Sequence, residues 1–203
     1  MRMNCSRRAG FTLIETMISL SIFAVLGYSV AVCVDMANQS QRTVYSVAAE
    51  GRALRESSSY LTDELRSSSD AQITATTLSD SNTQVDFMVP IESGGLLTWG
   101  VYEKTLGTTY ADQNKVGWKL RYTVRNSVVA GVTNKQLLRQ ILDVAGAVQD
   151  EKVIAEGLHS GTANPPGFRV VKSGDMWVVT VSAAGNSTNS SEMKAEFHVQ
   201  TRN

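Results

Sequence analysis

The sequence predicts an α+β fold: one long N-terminal helix followed by an antiparallel β-sheet head. Three observations carry this expectation. An apolar run of helical length, FTLIETMISLSIFAVLGYSVAVCV, occupies residues 11–34. Small and apolar residues then recur at three- and four-residue spacing as far as Leu65. Past Asp70 the apolar period drops to two, the period of a pleated strand. A single helical stretch followed by consecutive strands is the α+β plan.

The apolar run holds 24 residues, with Glu15 its only charge and no proline. As a helix it reaches about 36 Å, enough to cross a hydrocarbon layer of roughly 30 Å. Arg2, Arg7 and Arg8 precede it and the next basic residue is Arg42, so the N-terminus is expected to stay cytoplasmic while the rest is exported. The helical pattern continues through Val44, Val47/Ala48, Gly51, Leu54, Ser58, Leu61 and Leu65, with Arg42, Ser46, Glu50, Arg52, Glu56, Asp63 and Glu64 on other faces. An unbroken helix from about Phe11 to Arg66 would measure about 84 Å. Ser67-Ser68-Ser69-Asp70 ends it, because such side chains compete for backbone hydrogen bonds. Gly51 costs about 1 kcal/mol against alanine in mid-helix, so it either admits a close backbone neighbour or is simply tolerated.

The strand candidates follow in order. Val85–Val89 alternates up to Pro90, Leu97, Trp99 and Val101 share a face, and Trp118–Val124 alternates most clearly. Leu137–Leu142 is shorter, Phe168–Val171 and Met176–Val181 flank a turn at Ser173-Gly174-Asp175, and Met193–Thr201 closes the set. Residues 107–117, 157–167 and 185–192 are expected to be polar loops. The domain plan is a basic leader at 1–10, a membrane-spanning half-helix at 11–34, an amphipathic half at 35–69 and a β-rich head at 70–203.

The chain has 42% hydrophobic and 19% charged residues and zero formal charge, a composition suited to a folded protein. Without the leader's arginines it carries 16 basic against 19 acidic residues, about −3. That balance gives no electrostatic basis for nucleic-acid binding. The only cysteines, Cys5 and Cys33, lie in the leader and the apolar run, so the exported head has no disulfide or thiolate cluster to hold it.

Four readings of the N-terminus compete. A cleaved secretory signal needs a shorter apolar core and a small-residue cut site. A twin-arginine signal at Ser6-Arg7-Arg8 is followed by too apolar a run, and a lipid anchor at Cys33 would follow Val32 where a small residue is wanted. A plain single-span anchor leaves Glu15 unexplained. The fourth reading accounts for the whole pattern: the basic leader ending in Gly10, then Phe11, Thr12, Leu13, Ile14 and Glu15, resembles the N-terminus of type IV prepilins and type II secretion pseudopilins. The chain's length and late hairpin resemble the larger minor subunits of that family, J-type pseudopilins or W-type minor pilins. Helix-kinking prolines common in the family are missing from this N-terminal segment, a departure that argues against a major pilin.

The resemblance implies cleavage after Gly10 by a membrane peptidase, N-methylation of Phe11 by the same enzyme, and a pilin-like fold. It implies a bacterial inner-membrane protein with a periplasmic head, incorporated into a periplasmic or surface filament. Its expected partners are sister subunits, the prepilin peptidase and an inner-membrane assembly platform. Glu15 would pair with the N-terminal amine of a neighbouring subunit as helices stack. An acid in a spanning helix is costly and usually partnered or functional, although a first-turn position is favoured by the helix dipole. The competing expectation is a single-span anchored binding module that never polymerises.

No enzyme motif emerges. His159 and His198 accompany no G-x-S-x-G elbow, no H-E-x-x-H spacing occurs, and no phosphate-binding Gly-rich loop precedes a Lys-Ser/Thr. The chain is expected to be an enzyme's substrate rather than an enzyme, without cofactor or catalytic residue. Asp80-Ser-Asn82-Thr-Gln-Val-Asp86 offers oxygen ligands of the calcium kind, but Val85 stands where a calcium loop of the EF-hand type needs glycine; a solvated loop is expected. Asn186-Ser-Thr188 matches a glycosylation sequon, of a kind that Ser/Asn-rich turns produce freely.

Overall fold

The computed structural model describes residues 12–129, 132–158, 166–183 and 193–202. It divides into two compact units, 1–45 and 46–203. A single α-helix, α1 (Leu13–Ser67), runs through the division. In the first unit its apolar side chains point outward: Phe23 is 80% and Leu20 77% exposed. By length and composition the stretch Leu13–Arg42 is able to cross a membrane.

In the second unit α1 becomes the backing of the head. Leu54, Ser57, Leu61, Leu65 and Ser68 are buried, a stripe at the three- and four-residue spacing of one helix face. Packing therefore selects Ser57 rather than the expected Ser58. Val44, expected on the same stripe, is 63% exposed. A Cβ built on Gly51 would meet nothing within 4 Å, so no close neighbour accounts for that glycine. Backbone carbonyls accept the hydroxyls of Ser57 and Ser67, from Leu54 and Glu64 respectively, and the serine run ends the helix as its composition suggests.

The head is an antiparallel eight-stranded sheet with a smaller three-stranded one. The large sheet contains β1 (Thr74–Thr77), β2 (Thr83–Phe87), β6 (Lys119–Val129), β7 (Val132–Leu142), β8 (Val148–Leu158), β9 (Phe168–Ser173), β10 (Met176–Ala183) and β11 (Met193–Val199); the small one contains β3 (Val89–Ser93), β4 (Leu96–Tyr102) and β5 (Asn114–Val116). The order in the large sheet is β1-β2-β6-β7-β8-β10-β11, with β9 also paired to β10. Among the described residues, β8 pairs with β10 at Leu158 and Ala183, whereas β9 covers β10 from Met176 to Val181.

Three differences from the sequence pattern have physical reasons. The alternation at 85–89 is two strands rather than one, because the chain changes sheets at Met88, whose carbonyl accepts the Ser68 hydroxyl at 2.7 Å. Pro90 lies inside β3 opposite Trp99; β3 is an edge strand, where a missing N–H leaves no ladder bond broken. Strand β8 and the outer halves of β6 and β7 were not expected. Their sequences, such as QDEKV, are polar on the face away from the core and Gln149–Val153 is mostly exposed, so cross-strand pairing rather than local pattern makes them strands. The expected loop at 157–167 loses its first residues to β8, and that at 107–117 its last to β5. The expected loop at 185–192 lies outside the described residues.

Cross-strand register sorts the sheet into two faces. Val85, Tyr122, Arg139 and Lys152 are direct neighbours across β2, β6, β7 and β8, as are Asp86, Arg121, Gln140 and Glu151 one residue along. The second row is a polar ladder: Arg121 donates to both Asp86 oxygens at 2.7 Å, and Glu151 accepts from Gln140 and Arg125 at 2.7 Å each. The first row faces α1. Tyr122 stacks on Phe87, ring centroids 6.0 Å apart, and its hydroxyl donates to Glu64 Oε2 at 2.6 Å. Arg139, 7% exposed at its side chain, donates to Glu64 Oε1 at 2.8–2.9 Å and to Glu103 Oε2 at 3.0 Å. Lys152 lies over the Tyr60 ring at 4.6 Å.

The end of α1 is held separately. Asp70 accepts from Trp177 Nε1 at 2.8 Å and from Lys172 Nζ. Ser69 bridges Arg202.

Candidate functional site

The site begins with why α1 starts where it does. The first backbone N–H groups of a helix lack partners, and Thr12 and Glu15 supply them reciprocally. The backbone N–H and the hydroxyl of Thr12 both donate to Glu15 Oε2 at 3.1 Å, and Glu15 N–H donates to Thr12 Oγ1 at 3.4 Å. This is a capping box, an N-cap threonine with glutamate three residues on. The pattern T-x-x-E stands in the sequence as Thr12-Leu13-Ile14-Glu15, a local signal for this box beyond the helix dipole. Glu15 is therefore the residue that closes the helix start in a single subunit. Among the described residues both side-chain bonds go to Oε2, and Oε1 accepts none.

Behind the box three of the span's hydroxyls are satisfied within the helix. Thr16, Ser21 and Ser29 donate to the carbonyls of Leu13, Met17 and Val25 at 2.8–2.9 Å, as hydroxyls in an apolar medium must. Gly27 has open space where a Cβ would stand. Gly10 and Phe11, the expected cleavage and methylation positions, lie outside the described residues.

The head's oxygen-rich loop has its carboxylates occupied. Asp80 pairs with the buried Lys135 ammonium and accepts from Asn82 N–H at 3.2 Å, while Asp86 is held by Arg121. Burial works to raise the Asp80 pKa, but the bonds from Lys135 and Asn82 outweigh it and leave it lowered. Asn82 Oδ1 in turn accepts from Phe168 N–H at 2.8 Å. The loop thus ties the β1–β2 turn to β7 and to the start of β9. Among the described residues no group of three or more His, Cys, Asp and Glu could hold a metal ion. His198 is half-exposed beside Glu196, at 3.7 Å; His159 and Asn186–Thr188 lie outside the described residues.

The family model for the prokaryotic N-terminal methylation motif matches residues 5–27, a stretch that includes Gly10, Phe11, Thr12 and Glu15. No curated protein and no solved structure matches the chain. The motif match supports a type IV prepilin-like protein, a substrate of the processing peptidase and methyltransferase rather than an enzyme of that kind.

Proposed function

We propose that the chain is a non-enzymatic minor pilin or pseudopilin, of the J-type or W-type, in a type IV filament or a type II secretion pseudopilus. One observation carries this reading: the methylation motif at 5–27 coincides with a capped apolar helix whose first turn holds a single acid, Glu15. In it, residues 1–10 are the leader, 11–34 the spanning and assembly half, 35–69 the amphipathic half and 70–203 the head. The N-terminus stays on the cytoplasmic side of the inner membrane and the head in the periplasm.

Hydrolysis after Gly10 frees an amine at Phe11, a cation at the edge of an apolar layer. The neighbouring subunit's Glu15 answers it. The capping box holds that carboxylate by one oxygen, and a carboxylate has about four lone-pair sites, so the other oxygen can accept an ammonium without uncapping the helix. Attraction between such charges is far stronger among packed helices than in water, and desolvation offsets much of it. The main gain is register: apolar helices alone would slide.

Intact-mass measurement of protein extracted from membranes tests the processing. The expected chain begins at N-methylated Phe11; one that keeps residues 1–10 in cells with a working peptidase overturns the reading, and the non-polymerising anchored module then stands. Glu15→Ala is expected to insert into the membrane normally and to be lost from filaments at least tenfold. Normal entry into filaments would remove Glu15 from the assembly mechanism.

A further inference from the structure

The buried charge under α1 has no part in the processing or stacking described above. Glu64 comes from α1, Tyr122 from β6, Arg139 from β7, and Glu103 from the segment after β4. We propose that this cluster is a register lock: it selects one axial and rotational setting of the outer half of α1 on the sheet.

The apolar stripe cannot do this alone. Its large members are Leu54, Leu61 and Leu65, spaced seven and four residues apart. Sliding the helix by seven residues puts leucine 54 into the place of leucine 61, and sliding it by four puts leucine 61 into the place of leucine 65. The other buried places receive Val47 and Ser58 in the first case and Glu50 and Ser57 in the second, so the stripe weighs against a slip only by the burial it loses, which is non-directional. The charge is not so forgiving. A four-residue slip brings Tyr60 or Ser68 to the guanidinium, a seven-residue slip brings Ser57 or Ala71, and none of these is a carboxylate. Each slipped state leaves Arg139 in the interior with only Glu103, and leaves the Tyr122 hydroxyl without its acceptor. Buried groups stripped of a partner are strongly unfavourable.

The geometry is complete on both sides. Glu64 spends one oxygen on Arg139 and the other on Tyr122, and Arg139 divides its donors between two carboxylates. Burial works against the Arg139 charge, but its partners, Glu64 above all, outweigh it and hold the guanidinium further toward its charged form, while burial holds Tyr122 further from ionising. The bonds of Ser68 and Asp70 hold the segment where the chain leaves the helix, beyond its last residue, and act beside the cluster rather than in place of it. Replacing buried ion networks by apolar residues often preserves or raises stability elsewhere, so selecting one setting is a role separable from stabilising the fold.

The proposal concerns a single subunit and stands whether or not the chain enters a filament. The experiment uses the full chain in detergent, with Cys5 and Cys33 replaced by serine and spin labels at the exposed positions Arg55 and Asp175. Wild type is expected to give one narrow distance by double electron–electron resonance. The apolar replacement Glu64→Leu/Glu103→Leu/Tyr122→Phe/Arg139→Met is expected to melt cooperatively, within a few degrees of wild type or above it, and to give a second distance or at least twofold broadening. A replacement that keeps the wild-type distance and width overturns the proposal, because packing alone would then set the register. So does one that fails to fold, because the cluster would then be a source of stability. Glu64→Gln, which keeps the shape and the hydrogen-bonding oxygen, is expected to retain the single distance; broadening there to the same extent as in the apolar variant would also count against it.

Discussion

Single residues in this chain carry constraints out of proportion to their size. Gly100 sits in β4, where a Cβ would come within 2.1 Å of the Lys115 carbonyl oxygen and 2.7 Å of Ile91 Cδ1. The backbone atom cannot yield, so Gly100→Ala is expected to lower head stability by about 1–3 kcal/mol, the range for overpacked interiors, as a reduced urea midpoint with unchanged slope. An alanine variant that melts like wild type would show that the small sheet moves aside. Nothing in the local sequence TWGVY marks this glycine, because the approaching carbonyl comes from β5, some fifteen residues away. Thr12 and Glu15 are the opposite case. Their partnership is local, three residues apart, and is readable from the sequence by the T-x-x-E rule alone. Glu64 and Arg139 were not readable, since charged residues in a predicted amphipathic helix and strand are ordinarily solvated.

At the scale of elements, periodicity located α1, most of the central strands and, through Leu54, Leu61 and Leu65, the packing face of the outer half-helix, but not where along α1 that face begins. The burial of Leu61 and Leu65, both at 0% exposure, against the outward position of Val44 at 63% sets up a contrast. Leu61→Ala is expected to cost about 2–5 kcal/mol by the cavity it leaves, whereas Val44→Ala is expected to change subunit stability by less than about 0.5 kcal/mol. Thermal melts of the two variants check this, and equal losses would mean that the helix face is assigned wrongly. Of the two tight hairpins only the one at Ser173-Gly174-Asp175 was expected, though both turn on glycine. Gly94 and Gly95, between β3 and β4, both have positive φ, as a type I′ turn demands, and Gly174 has it at the first position between β9 and β10, as a type II′ turn demands. The β7–β8 hairpin closes instead on Asp143, which accepts from the N–H groups of Ala145 and Ala147 at 2.9 Å. Its flanking polar strand β8 has no alternation strong enough to announce it.

For the head as a whole, several carboxylates have pKa values below the ordinary range because they are bound in the folded state. Hydrogen bonds hold them there: from Lys172 at Asp70, from the Ala147 N–H at Asp143 and from Gln140 at Glu151. At Asp80 burial opposes the shift, and the bonds from Lys135 and Asn82 together outweigh it. A group whose folded pKa is depressed contributes stability above its unfolded value, and that stability is lost as pH falls through the folded one. With unfolded values of about 4, the head is expected to hold a plateau from pH 7 to about 5 and to lose melting temperature steeply below about 4. A stability maximum below pH 4 would contradict these pairings.

The sequence by itself carries three features: the match to a methylation motif, an apolar span with one acid in its first turn, and the pattern of a strand-rich head. These are local features, set by composition, short spacing and side-chain period, and they survive without knowledge of what packs where. Tertiary structure decided the rest. It chose Ser57 over Ser58, split one apparent strand between two sheets at Met88, made β8 from a polar sequence, and buried an arginine between two acids. Each of those outcomes depends on pairing or packing against another element, and an energy shared between separate elements leaves no pattern in either neighbourhood alone.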